Sequence, residues 1–268
     1  MEQWRIETPQ SLDLEGVRRL NVRMVSGSVD VVGRTEDAES GAAHIEVSEV
    51  DGPLQINLDG DTLTITHEKL TWGGLLDWTG RKRASAVVSV SVPASCPVEL
   101  GVVSADAVVS GIDSPTKVKS VSGDVTLDGV RADISAQTVS GDLESRELAG
   151  VLKFTTVSGE LTVVDGRSDR VKAETVSGDI ILDLDLLPDA SIDLNSVSGD
   201  VTLRFADHVG LKVEVNTMSG DLESAFGGVS SNRKPGRATM KGEIGDGSGR
   251  LRANTVSGDV VLLRREPA

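Results

Sequence analysis

The chain has 268 residues, enough for one large domain or two small ones, and its 27 Lys and Arg against 42 Asp and Glu leave a formal charge of −15. That balance argues against a duplex nucleic-acid binder, which needs a basic face to displace counterions, and against simple adsorption to an anionic lipid surface. Aromatic residues are only 2% with Tyr absent, which excludes a core of large rings, and the lone Cys96 excludes a disulfide framework or a multi-cysteine metal site.

The opening stretch MEQWRIETPQSLDLEGVRRL has no basic segment followed by an apolar one. No run of about 18 apolar residues occurs anywhere. The expectation is a cytoplasmic chain, free or peripheral to the membrane. Val22, Met24 and VSGSV around Ser26 read as a founding copy of a motif that returns only at Ser104. Between them, AHIEVSEV, LQINLDGDTLTIT and ASAVVSVSVP read as strands, the second a hairpin turning at Asp59-Gly60-Asp61. The segment HEKLTWGGLLDWTGRKRAS interrupts them. It carries Trp72 and Trp78 around Leu75 and Leu76, followed by Arg81, Lys82 and Arg83. Such a loop suits a partner protein or a membrane interface, or else covers the end of an apolar core.

From residue 99 onward repetition dominates. SVSGDV, TVSGDL, TVSGEL, TVSGDI, SVSGDV, TMSGDL and TVSGDV place their serines at 122, 140, 158, 177, 198, 219 and 257. Weaker copies put Ser104 and Lys241 in register, and the intervals run from 16 to 22 residues. Ahead of each Ser-Gly, apolar and polar residues alternate, as in Val171, Ala173 and Thr175 against Lys172 and Glu174. A second short alternation follows each Ser-Gly, and then a polar or Gly turn. One repeat is therefore strand, corner, strand, loop. Alone it cannot bury its apolar face, but a copy laid upon it completes both ladder and core. The expected fold is all-β, a parallel β-helix or solenoid of about nine stacked rungs with an amino-terminal β-strand cap. Residues 1–98 form the cap and first strands, and residues 99–268 the repeats, as one continuous domain. An up-and-down antiparallel sheet is the alternative that periodicity leaves open.

The tandem T-V-S-G-D-[VIL] units, with the early VSGSV and the VVSVSVP ahead of the repeats, resemble a bacterial "putative adhesin" family of β-strand-repeat domains of unknown function. The resemblance covers nearly the whole chain. It implies a β-helix-like solenoid exposed at a surface, and it implies no catalytic residues. A looser architectural similarity links the chain to bactofilins, cytoskeletal solenoids that polymerise end to end.

The recurring glycines Gly123, Gly141, Gly159, Gly178, Gly199, Gly220 and Gly258 read as structural corners where a Cβ would clash. Asp124, Asp142, Glu160, Asp179, Asp200, Asp221 and Asp259 would stack as an acidic column, with Glu243 in the weak copy. Each accepts a hydrogen bond from a turn amide, or the column holds divalent cations. By parity the residues two before each repeat serine (Thr138 to Thr255), and the serines themselves, face inward. The same parity sends Val121, Val139, Val157, Val176, Val197, Met218 and Val256 outward as a docking stripe, and the preferred reading is a corner bulge that returns them to the core. His44, His67 and His208 are scattered, and no GxSxG, P-loop or HExxH occurs. Asp183 and Asp185 in ILDLDL read as a solvated strand face. The sequence thus predicts a non-enzymatic structural or protein-interaction solenoid without cofactor or metal, in the role of an envelope-associated scaffold. Its partner is an unidentified protein, membrane-associated or not, or a second copy in a homo-oligomer. A carbohydrate-binding or carbohydrate-active β-helix and a self-assembling filament module are the alternatives.

Overall fold

The computed structural model describes residues 1–35, 40–67 and 84–265, and among these no segment is helical. The chain divides into two compact units, Met1–Arg131 and Ala132–Ala268. The amino-terminal unit contains β1 (Glu2–Ile6), β2 (Gln10–Leu14), β3 (Arg19–Arg34), β4 (Ala43–Asp51), β5 (Leu54–Asp59), β6 (Thr62–His67), β7 (Ser85–Pro93), β8 (Val98–Ser110), β9 (Thr116–Ser120) and β10 (Val125–Asp128).

Two ladders build this unit. In one, β1, β5 and β6 are antiparallel, and β6, the first half of β3, the first half of β8 and β9 then follow in parallel. In the other, β2, β4 and β7 are antiparallel, followed in parallel by the second halves of β3 and β8 and by β10. The predicted hairpin is β5–β6, with Gly60 in the left-handed region at φ 61°. β3 and β8 belong to both ladders and pair Ser26 with Ser104, so the founding copy lies directly beside the first repeat. The antiparallel strands supply the cap, whereas ASAVVSVSVP (β7) joins the parallel stack against β3. Leu20, Val22, Met24, Ile56, Leu63, Ile65 and Leu100 are fully buried between the ladders. Burying each such side chain is worth about 1.5–3 kcal/mol.

The carboxy-terminal unit contains β11 (Ile134–Gln137), β12 (Leu143–Arg146), β13 (Leu152–Thr156), β14 (Leu161–Ser177), β15 (Ile180–Ser198), β16 (Val201–Phe205), β17 (Leu211–Ser219), β18 (Leu222–Ser224), β19 (Val229–Lys234), β20 (Arg237–Ile244), β21 (Gly249–Ser257) and β22 (Val260–Arg264). Before the corners the parallel order is β11, β13, β14, β15, β21, β17. After them it is β12, β14, β15, β16, β22, β18. The parallel pairing excludes the up-and-down sheet.

Two expectations need correction here. The rungs do not follow chain order, because the final one (β21 and β22) is inserted between its two predecessors. The weak copy at Lys241 is not a rung at all. It lies in β20, which runs antiparallel to β17 and carries β19 on its other side. Lys241 stands opposite Glu214, and its Nζ donates to the Glu214 carboxylate at 2.8 Å, so a cross-strand ion pair accounts for a lysine there. The hairpin covers the β17 edge. Its own outer strand β19 carries Arg233 and Lys234 and turns at Pro235, features that discourage further strand addition.

Candidate interaction surface

Each corner breaks the alternation once. In the carboxy-terminal unit Thr138, Thr156, Thr175, Ser196, Thr255 and Thr217 are buried. The next residues, Val139, Val157, Val176, Val197, Val256 and Met218, are 45–62% exposed. The serines that follow are exposed too, and the glycines are buried or half-buried. Val121 and Ser122 behave in the same way in the amino-terminal unit. Two consecutive outward residues are the corner itself. The threonines therefore face inward as parity predicts, the serines do not, and no bulge returns the valines to the core.

The glycines explain where the chain bends. A Cβ on Gly178 would stand 2.2 Å from the Gly159 carbonyl oxygen, on Gly199 2.3 Å from that of Gly178, and on Gly258 2.1 Å from that of Gly199. On Gly220 it would lie 2.1 Å from the Gly258 oxygen, on Gly159 2.1 Å from the Gly141 oxygen, and on Gly123 1.8 Å from the Ala105 oxygen. Within each unit the corners form a column of backbone resting on backbone.

The corners fall into two kinds. In the first, the inward hydroxyl holds the glycine amide: Gly123 N–H donates to Ser120 Oγ at 3.1 Å and Gly159 N–H to Thr156 Oγ1 at 2.9 Å. In the second, Gly178, Gly199, Gly220 and Gly258 adopt φ between 139° and 157°, and the hydroxyls of Thr175, Ser196 and Thr255 are buried without a partner among the described residues. Removing an unpaired buried hydroxyl relieves its desolvation penalty, whereas removing a paired one orphans an amide. Thr175→Val should therefore stabilise the protein by about 1 kcal/mol, and Thr156→Val should destabilise it by about as much, in urea unfolding.

The acidic residues make a second ladder. Asp124 N–H donates to Asp106 Oδ1 at 3.1 Å, Glu160 N–H to Asp142 at 2.8 Å, and Asp200 N–H to Asp179 at 2.8 Å. The ladder continues with Asp259 N–H to Asp200 at 2.8 Å and Asp221 N–H to Asp259 at 2.7 Å. The carboxylates of Asp106, Asp142, Asp179, Asp200 and Asp259 thus cap the corner amide of the adjacent rung, and this attraction offsets the repulsion within the column. Glu160, one methylene longer, instead accepts from Thr162 Oγ1 at 2.9 Å. Among the described residues no three His, Cys, Asp or Glu side chains gather as a metal-binding set. An amide ladder also runs beside the corners: Asn216 donates to Asn254 and Asn254 to Asn195, both at 3.2 Å. Its sequence signal is an Asn directly before the inward Thr or Ser, which recurs three times.

Asp183 departs from the solvated-face expectation. Its side chain is only 7% exposed, lying between Arg204 and Arg265. Burial alone raises the carboxyl, but the hydrogen bonds and charges of the two arginines outweigh it and hold Asp183 below the usual carboxylate range. Asp185 is half-buried, with His208 Nε2 4.0 Å from its carboxylate. A cleft of about 610 Å³ opens beside Met218 and Ser219 and is lined by Arg233, Lys234 and Arg237. Arg233 pairs with Asp221, and Arg237 donates to Asn216 Oδ1 at 2.7 Å. Trp72, Leu75, Leu76, Trp78, Arg81, Lys82 and Arg83 lie outside the described residues.

Solved structures similar to this chain exist. A "putative adhesin" from Parabacteroides distasonis ATCC 8503 matches at TM-score 0.51 and 11% identity, over 98% of this chain and 97% of that one. A "putative lipid binding protein" from the same organism matches at TM-score 0.49 and 11% identity, over 97% of each chain. A "putative adhesin" from Bacteroides fragilis NCTC 9343 matches at TM-score 0.47 and 12% identity, over 96% of this chain and 98% of that one. No curated protein matches the chain. The family model described as Toastrack DUF4097 matches residues 17–263, a span that takes in both units and every SG corner, and the chain belongs to that family.

Proposed function

We propose that this Toastrack chain is a non-enzymatic, rigid scaffold that docks a protein partner along the exposed apolar column of its carboxy-terminal unit. The observation that carries this reading is the row Val139, Val157, Val176, Val197, Val256 and Met218, each 45% or more exposed on successive rungs. Contiguous exposed apolar surface is costly unless something covers it. The stacked backbone fixes the spacing of the row, and carboxylates beside it are engaged in holding corners. A cytoplasmic position at the envelope belongs to the same proposal, and a lone cysteine without a disulfide partner fits a reducing compartment.

The test is photo-crosslinking in cells, with a benzophenone amino acid placed at Val176 or Val197 and, as control, at Glu144 on another face. A discrete adduct is expected from the column positions and none from the control. Val176→Asp combined with Val197→Asp should abolish the adduct formed from Val157 while leaving the melting temperature within a few degrees. Adducts absent from the column, or equal from the control, would refute the reading.

A further inference from the structure

The last rung occupies an unusual place. Arg250–Ser257 of β21 pair with Ser191–Ser198 of β15 on one side, and Gly249–Ser257 pair with Leu211–Ser219 of β17 on the other. β22 is likewise held between β16 and β18. Residues 249–264 therefore fill a slot whose two walls are made by residues that precede them. Ser198, Ser257 and Ser219 lie in one line, so both walls are in register for this sequence whichever copy supplies it.

Three further observations bear on how firmly the rung is held. It buries few apolar side chains: Leu251, Ala253, Val260 and Leu262. It also carries the partnerless Thr255 hydroxyl and the Gly258 corner at φ 152°. Its connection to β20 is the short turn Gly245-Asp246-Gly247-Ser248, with Gly245 and Gly247 left-handed at φ 59° and 64°. Its outer end is fastened by a clasp, in which Arg265 N–H donates to the Phe205 carbonyl at 2.7 Å and Arg265 Nε donates to Asp183 at 2.8 Å.

We infer that residues 249–265 are an exchangeable rung, and that its partner is a second copy of this chain. When the clasp opens and the turn extends, the rung leaves a slot that the same residues of another molecule fill with identical pairings. Apart from the turn's own hydrogen bonds, such as Gly247 N–H to the Ile244 carbonyl at 3.2 Å, the pairings and buried side chains of the rung are restored in the exchanged pair, so protein concentration and hinge strain set the balance. This assembly is reciprocal and closed. It differs from the end-to-end stacking of a filament, which the charged edge strand β19 disfavours, and it does not depend on the docking column.

The test uses the full chain carrying Ser198→Cys and Ser257→Cys, two exposed register partners, with the native Cys96 buried. The reduced protein is partly unfolded in urea and refolded at rising concentration, then followed by sedimentation velocity. A dimer is expected whose fraction grows with refolding concentration, persists on dilution, and becomes covalent between chains when oxidised. Oxidation before the cycle should give monomer alone. In the otherwise native chain, Asp183→Asn should raise the dimer fraction several-fold by loosening the clasp. Monomer at every concentration, dimers unaffected by prior oxidation, or an unchanged fraction in Asp183→Asn would overturn the inference.

Discussion

Replacing Gly199 with alanine should unfold or nearly unfold the carboxy-terminal unit, costing on the order of 4 kcal/mol. The added Cβ would lie 2.3 Å from the Gly178 carbonyl oxygen and 2.8 Å from its carbon, on a residue already at φ 139°. A flexible side chain could swing aside, but the obstacle here is the backbone of a parallel ladder, which can yield only by separating the rungs. Gly227→Ala is the matched control. No atom lies within 4 Å of its would-be Cβ, and its backbone is not left-handed. That change should fall within about 0.5 kcal/mol of neutral, because it only restricts the unfolded chain. Urea unfolding of both variants decides the matter: a Gly199→Ala protein that melts with the parent would show that the corners do not rest on one another.

Acidification should remove a comparable amount of stability through the amino-terminal unit. His67 is 2% exposed, and its Nδ1 accepts the Val25 N–H at 3.1 Å, which leaves the ring proton on Nε2 without a partner among the described residues. Burial pushes the imidazole down to about 4 from its usual 6.5. Between those values the unfolded chain binds a proton that the folded protein refuses. Stability is therefore complete above pH 6.5 and falls as the pH drops towards 4, by about 3 kcal/mol in all. Asp183, held below the usual carboxylate range, contributes stability that is lost only at still lower pH. Unfolding free energies measured at intervals from pH 7 to 4 should show this slope, and His67→Gln should flatten it. An unchanged slope in that variant would assign the acid sensitivity to other groups.

The stacking was visible in the sequence because its cause is local. Each TVSGD unit states the same strand, the same corner and the same inward side chains, and residues that repeat at one period are most simply placed on each other. What stayed hidden depends on contacts far along the chain. Nothing in RANTVSGDVV distinguishes a rung that follows FGGVSSNRKPGR from one that slips back beside DLNSVSGDV, since the motif fits either neighbour equally. ILDLDL promised alternating exposure, yet Leu182, Asp183 and Leu184 are all buried. The cause is two arginines, 21 and 82 positions away, which neutralise the middle one. The direction of Val176 and its equivalents turned on one backbone angle at the corner. Parity gave the right answer for these residues, and the bulge invoked against it does not occur. The serines beside them broke the same parity, because the bend lies between Val and Ser and sends the glycine, not the serine, against the next carbonyl.

The inserted position of the final rung bears on how the molecule is made. A solenoid whose turns follow chain order can grow as it leaves the ribosome, each new turn settling on the one before. Here that process stalls after Phe205: Leu211–Ser219 has its parallel partner in Gly249–Ser257, which emerges some forty residues later. Until residues 249–264 emerge, the Ser191–Ser198 edge of β15, the outer edge of β16 and the β17 edge remain open. That interval, with unpaired strands exposed, is when nascent-chain chaperones have most to protect.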